Sequence, residues 1–155
     1  MIPAFSPDGF LPFGLHGASL QEIEARFGGN ARREGQLGLL REVVEAALVY
    51  PSIKRVLVWG SFVSSKEEPN DLDYSLVVGV SHQLVTIAPE HRLYLNPRQA
   101  MMRWGVDVGF LEILDYPLST FLDRVELLAR RRGTEQERGL LEISLWGERA
   151  WPSNV

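Results

Sequence analysis

The sequence predicts an α+β domain, a small mixed sheet with helices packed on it. Two short hydrophobic runs, Arg55 to Trp59 and Asp71 to Val78, read as strands. Amphipathic stretches at helical spacing lie before and after them, the longest from Gln36 to Tyr50. A further strand, Trp104 to Ile113, follows a short helix, and alternation of this kind marks a sheet covered by helices.

The 155 residues suit a single domain, 1–155, with a sizeable core. Hydrophobic residues at 45% and charged residues at 23% are ordinary for a soluble globular chain, and no apolar run is long enough to span a bilayer. Met1 to Phe5 lacks the charged and apolar regions of a signal peptide, and cysteine is absent, which excludes disulfides and thiolate metal sites. A cytoplasmic location is therefore expected. The formal charge of −4 argues against a large nucleic-acid footprint, although a local basic patch stays open.

Residues 1–18 form a leader rich in proline, glycine and phenylalanine, with turns at Asp8-Gly9 and Phe13-Gly14. It is expected to be irregular and anchored by Phe5, Phe10 and Phe13, since disordered tails are poor in aromatics. Ser19 with Glu22 is a capping box that starts a short helix ended by Gly28-Gly29. From Gln36 to Tyr50, Leu37, Leu40, Val44, Ala47 and Leu48 share one face, and Pro51 closes the segment. This helix should cover the sheet.

The densest chemistry follows. The strand Arg55 to Trp59 stops at Gly60-Ser61, a small-residue turn that leaves room for a ligand to approach the backbone. A helix starting at Ser61 would present free N–H groups and a hydroxyl to an anion. After a polar loop containing Lys66 and ending in Pro69-Asn70, the next strand opens with Asp71-Leu72-Asp73. Strand alternation puts Asp71 and Asp73 on one face and Leu72, Tyr74, Leu76 and Val78 on the other. Two adjacent carboxylates repel, and a divalent cation relieves this; carboxylates beside a phosphate pocket suit Mg²⁺. Taken alone, Asp-x-Asp at a strand start is equally a solvated turn.

Gly60-Ser61, nine residues, then Asp71-Leu72-Asp73, all between two hydrophobic strands, resembles the signature of the nucleotidyltransferase superfamily that includes DNA polymerase beta, especially its minimal members. The resemblance implies a nucleotidyltransferase-like fold, with Gly60 and Ser61 holding nucleotide phosphates and Asp71 and Asp73 binding Mg²⁺ or Mn²⁺. It also implies a third acid on a neighbouring strand. Asp107 sits near the apolar start of the strand Trp104 to Ile113; Glu112 is the rival, with parity opposite to Asp107, so that one of the two shares the Asp71 face. Asp107 is chosen. The leader residues Ile2-Pro3, Phe5, Asp8-Gly9, Leu11-Pro12, Gly14, His16 and Arg26-Phe27-Gly28, with Phe62-Val63, Lys66 and Pro69, are similar to an uncharacterised bacterial family of nucleotidyltransferase-like proteins.

Further along, Asn96-Pro97 and Gly105 bracket a short helix, Arg98 to Trp104. Residues 81–95 read as a loop or a short element lining the nucleotide cleft. Thr120 with Asp123 caps another helix, with Phe121, Leu122, Val125 and Leu128 as its core face. Its end, Arg130-Arg131-Arg132-Gly133, complements the helix dipole or contacts phosphate or RNA. The last strand, Leu140 to Leu145, alternates as a half-buried strand does, and the tail from Trp146 is uninformative. His16, His82 and His91 show no metal-ligand spacing, and Trp59 and Trp104 read as core or cleft-wall residues. Lys66 either neutralises a phosphate or is simply solvated.

On the resemblance, the expected reaction is transfer of a nucleoside monophosphate from a nucleoside triphosphate to a hydroxyl acceptor, with Asp71, Asp73 and Asp107 as metal ligands and Gly60, Ser61 and Lys66 on the nucleotide. The chain has little left to build a base pocket, so a protein partner or a second copy would complete the cleft. The competing expectation is a nucleotidyltransferase-like binding protein with weak or absent catalysis, such as an antitoxin-like partner of a toxin.

Overall fold

The structure, a computed structural model, describes residues 1–79, 81–115, 118–130 and 137–145. A five-stranded mixed sheet carries the fold, built from β1 (Gly14–Gly17), β2 (Ile53–Trp59), β3 (Leu72–Val78), β4 (Val108–Asp115) and β5 (Gly139–Ser144) in the spatial order β1-β5-β2-β3-β4. The two outer pairs, β1 with β5 and β3 with β4, are parallel, and β2 is antiparallel to both its neighbours. The helices are α1 (Leu20–Phe27), α2 (Ala31–Ala47), α3 (Arg92–Leu95), α4 (Pro97–Trp104) and α5 (Leu118–Ala129). Among the described residues no helix is long and apolar enough to cross a membrane.

Strand alternation divides the sheet into two faces. Val56 and Val58 of β2, Leu72, Tyr74, Leu76 and Val78 of β3, and Leu141 and Ile143 of β5 pack into one core with Ile23, Phe27, Leu37, Leu40, Val43 and Ala47. This face is covered by α1 to α4. On the other face Leu57, Val77 and Leu114 meet Val125 of α5, and Leu140 meets Leu128 and Ala129. Because Leu72 and Tyr74 face α2, Asp71, Asp73 and Ser75 are turned to the α5 side.

The N-terminal half departs from the sequence reading in three places. The leader is not wholly irregular: Gly14–Gly17 forms β1, paired in parallel with β5. Its sequence, Gly-Leu-His-Gly, has no strand propensity of its own, and the open edge of β5 recruits it. Phe13 is exposed, while Leu11 is buried and Phe5 packs on Phe27, so the leader is anchored by Leu11, Phe5 and Phe10. Helix α2 begins at Ala31, five residues before Gln36, because Asn30 caps it by accepting from the Arg33 amide at 2.9 Å. It ends at Ala47, which leaves Leu48 exposed. By contrast, the Ser19–Glu22 capping box of α1 is present with both bonds, at 3.1 and 2.9 Å.

Asn96 caps α4 through the Gln99 amide, and Gly105 takes a positive φ of 55° at its end. Residues 84–95 form two 3-10 turns and α3, packed by Ile87 and Leu95 into the α2-side core, the face opposite Asp71 and Asp73. Helix α5 starts at Leu118, two residues before Thr120. The side chains of Phe121 and Leu122, residues 131–133 and the tail from Trp146 lie outside the described residues. Arg130 pairs with Glu126 one turn back, at 2.9 Å.

Candidate active site

Two strand ends and two glycines build the site. β2 delivers Gly60 (φ 79°), where a Cβ would overlap the Asp73 carboxylate. On the other side of β3, Gly109 of β4 leaves the same kind of space: a Cβ there would overlap Asp73 and come within 2.8 Å of Asp71 Cγ. The two carboxylates therefore converge over Gly109, and Asp73 lies between two backbones stripped of side chains. Gly109 has no positive φ, so the need for glycine there is purely one of space. An alanine at 109 should displace both carboxylates, and a cation held by the pair, with Mn²⁺ as the calorimetric probe, would bind at least tenfold more weakly in Gly109→Ala.

Burial first, and repulsion from Asp71 second, push the Asp73 carboxyl up to about 7; Arg138 and the Phe110 amide, which donates to it, pull the other way. A half-buried carboxylate with its neighbour's charge beside it is a site that gains from a cation. Asp71 and Asp73 together fit a divalent ion with oxygen preference, since they leave its remaining positions to water or phosphate.

Asp107 is placed differently from expectation. It ends a 3-10 turn, Gly105–Asp107, just before β4, and its carboxylate is bonded to Arg32 of α2 at 2.9 Å. Among the described residues no group of three His, Cys, Asp or Glu side chains forms a metal cage. Of Asp107 and Glu112, it is the rival, Glu112, that comes to the Asp73 face. Leu72 aligns with Val108 but Tyr74 with Leu111, so an extra residue is accommodated opposite Asp73. Glu112 thereby aligns with Ser75 on the Asp73 face, where Arg124 of α5 is its ion partner.

Gly60-Ser61 opens a single 3-10 turn, Gly60–Val63, rather than a longer helix, so it offers individual donors and no sizeable dipole. Beyond it lies a cavity of about 490 Å³ lined by Ser61, Ser64, Ser65, Lys66, Asp8 and Arg138. Lys66 and Arg138 give it cationic walls. The leader supplies another wall, because Phe10 bridges to Ser64 and the Ser65 amide donates to Gly9 at 2.8 Å.

The loop that shapes this cavity is held from behind by Arg33, which is 6% exposed. Its guanidinium donates to the carbonyls of Phe62 and Ser64 at 2.9 Å each, Glu67 at 3.2 Å, Phe27 at 3.4 Å, and Lys66. The Phe27 and Phe62 rings lie within 5.8 Å of it. Since C=O and N–H of one peptide point in opposite directions, carbonyls drawn to Arg33 turn the Val63 and Ser65 amides outward.

Arg33, Gly109 and Arg138 escaped the sequence reading. Gly109 had a signal, a glycine inside an apolar strand run, which marks close approach of another group. Arg33 sits in Arg32-Arg33-Glu34, which looks like a solvated surface, and Arg138 reaches the site only through the pairing of β5 with β2. The histidines have local partners: His16 Nε2 contacts the Pro12 carbonyl at 2.7 Å, His82 the Ser52 hydroxyl at 2.8 Å and His91 the Tyr50 hydroxyl at 2.7 Å. Trp59 donates to Ser75 Oγ at 3.2 Å and meets Phe110 edge-on, while Trp104 donates to the Leu93 carbonyl and stacks on Tyr94.

Residues 3–144 match DUF6932, a family of unknown function. No curated protein and no solved structure matches the chain.

Proposed function

This chain belongs to the DUF6932 family of unknown function, and we propose from its site that it is a Mg²⁺-dependent nucleotidyltransferase of minimal type. The observation that carries the reading is the convergence of Asp71 and Asp73 over Gly109, beside a cavity walled by Ser61, Lys66 and Arg138. A carboxylate pair and a cationic polar cavity at one end of the central strands suit a metal-bound triphosphate, and the order of strand, glycine-serine turn and acid pair resembles that of known nucleotidyltransferases.

In this reading an acceptor hydroxyl attacks the α-phosphorus, the bond to the bridging oxygen breaks, pyrophosphate leaves and the hydroxyl proton passes to solvent or a carboxylate. Asp71 and Asp73 would hold Mg²⁺, which when bound neutralises phosphate charge and favours the ionised hydroxyl. Ser61, Lys66 and Arg138 would grip the β- and γ-phosphates as donors and fixed positive charges. Asp73 holds its proton until about pH 7 in the metal-free chain, so cation binding displaces that proton and strengthens as pH rises toward 7.

The test is incubation of the full chain with each nucleoside triphosphate and Mg²⁺ or Mn²⁺, followed by mass spectrometry of the protein and anything that co-purifies. The expected result is added mass of one nucleoside monophosphate, lost in Asp71→Ala. Calorimetry showing no triphosphate binding with either metal would overturn the reading. A second reading, a nucleotide-binding partner protein with weak or absent catalysis, is favoured by the Arg32–Asp107 pair, which engages the residue expected as third acid. Metal-dependent triphosphate binding without turnover, together with a co-purifying protein, would select it.

A further inference from the structure

An open aromatic ring stands beside the acid pair. Phe110 follows Gly109 in β4, its amide donates to the Asp73 carboxylate, and the residue is 45% exposed. Its ring meets that of Trp59, the last residue of β2, with 5.8 Å between centroids and an interplanar angle of 65°. Trp59 is itself anchored, because its Nε1 donates to Ser75 Oγ at 3.2 Å and the Arg138 guanidinium lies 5.9 Å from its ring centre. Phe110 is thus held on one side by a fixed ring and remains accessible to a ligand.

Apolar side chains exposed singly on a surface need no explanation. This one differs in its place. On the same sheet face Leu57, Val77 and Leu114 are covered by Val125 of α5, and Leu140 by Leu128 and Ala129. Phe110 stays exposed at the end of β4 where the carboxylates converge, next to the glycine whose missing side chain makes room for them.

Strand order gives the site a direction. β2, β3 and β4 are consecutive neighbours; β2 runs antiparallel to β3 and β4 parallel to it, so Gly60-Ser61, Asp71 and Asp73, and Gly109-Phe110 all lie at one end of the sheet. Two strand spacings, roughly 10 Å, separate the first strand end from the last. The cavity with Lys66 and Arg138 is on the β2 side and the open ring on the β4 side. A nucleoside triphosphate laid across the three strand ends would place its β- and γ-phosphates in the cavity, its metal over the carboxylates and its base at Phe110. Every base has a flat π-face, and stacking on an aromatic side chain needs no enclosed pocket.

We propose that Phe110, backed by Trp59, is the stacking surface for the base of the nucleoside triphosphate. The proposal rests on the nucleotide-binding reading above and adds to it where the base goes. The test compares ATP with inorganic tripolyphosphate, which carries the phosphates without a base, each titrated by calorimetry into the full chain with saturating Mn²⁺. Phe110→Ala should weaken ATP binding about tenfold or more and leave tripolyphosphate binding as in the parent, and Phe110→Trp should bind ATP at least as tightly as the parent. Phe13→Ala, which removes an exposed ring just ahead of β1 at the far edge of the sheet, should bind both ligands as the parent does. ATP binding unchanged in Phe110→Ala, equal weakening of ATP and tripolyphosphate in that variant, or the same loss of ATP in Phe13→Ala would each overturn the base site and leave the metal and phosphate reading standing. Binding of neither ligand by the parent would overturn both.

Discussion

Asp73→Asn is expected to make the metal-free protein more stable at about pH 8 while removing its response to divalent cations. The folded chain holds the Asp73 proton until about pH 7, whereas an unfolded aspartate releases it near the ordinary value of 3.8. Between those values the folded state binds more protons than the unfolded one, so stability falls as pH rises and the full penalty is present above 7. A shift of this size corresponds to on the order of 2–4 kcal/mol, and a neutral amide avoids it. Thermal melts should therefore place Asp73→Asn above the parent at about pH 8, with the gap more than halved near pH 5. On the function proposed above, Mn²⁺ should raise the melting temperature of the parent and leave the variant unmoved, and the proposed nucleotidyl transfer should fall at least about a thousandfold. A variant less stable than the parent at high pH, with no metal response in either, would remove the like-charge argument on which the proposed cation site rests.

Arg33→Met should be the most damaging single change away from the carboxylates. It removes the donor group from the carbonyls of Phe27, Phe62, Ser64, Lys66 and Glu67 and leaves buried acceptors behind. Losses of buried hydrogen-bond networks of this kind cost about 3–5 kcal/mol, or roughly 10 °C of melting temperature for a chain of this length. Arg33→Lys keeps the charge but has three donors on one atom, where the guanidinium spreads its donors over three nitrogens, so it should recover only part of the loss. Hydrogen exchange should show where the damage falls: amides of residues 62–67 lose protection first, while the α2-side core around Leu40 and Val56 stays protected. Uniform loss of protection would mean that Arg33 stabilises the whole domain and has no special hold on this loop.

What could be read from the chain follows a physical division. Local patterns were enough for the α+β class, for the capping box at Ser19, for β2 and β3, and for the shared face of Asp71 and Asp73, because each rests on dihedral preferences or the period-two alternation of a strand. Those rules act over a few residues. They failed where a distant element decided: Gly14–Gly17 becomes a strand because β5 offers an edge, and the first turn of α2 forms around a buried arginine that looks like surface. That Glu112 and not Asp107 reaches the Asp73 face was missed for a related reason, since one extra residue in β4 reverses alternation without leaving a sequence mark other than Gly109.

By itself, then, the sequence determined which residues could carry charge at a strand end and which turn precedes them. The tertiary structure decided that Asp73 lies between Gly60 and Gly109, that Arg138 and the leader wall the neighbouring cavity, and that Asp107 is drawn to Arg32 on α2. The reason is that charge, burial and hydrogen bonding act through space, and separation along the chain does not report the distance between side chains.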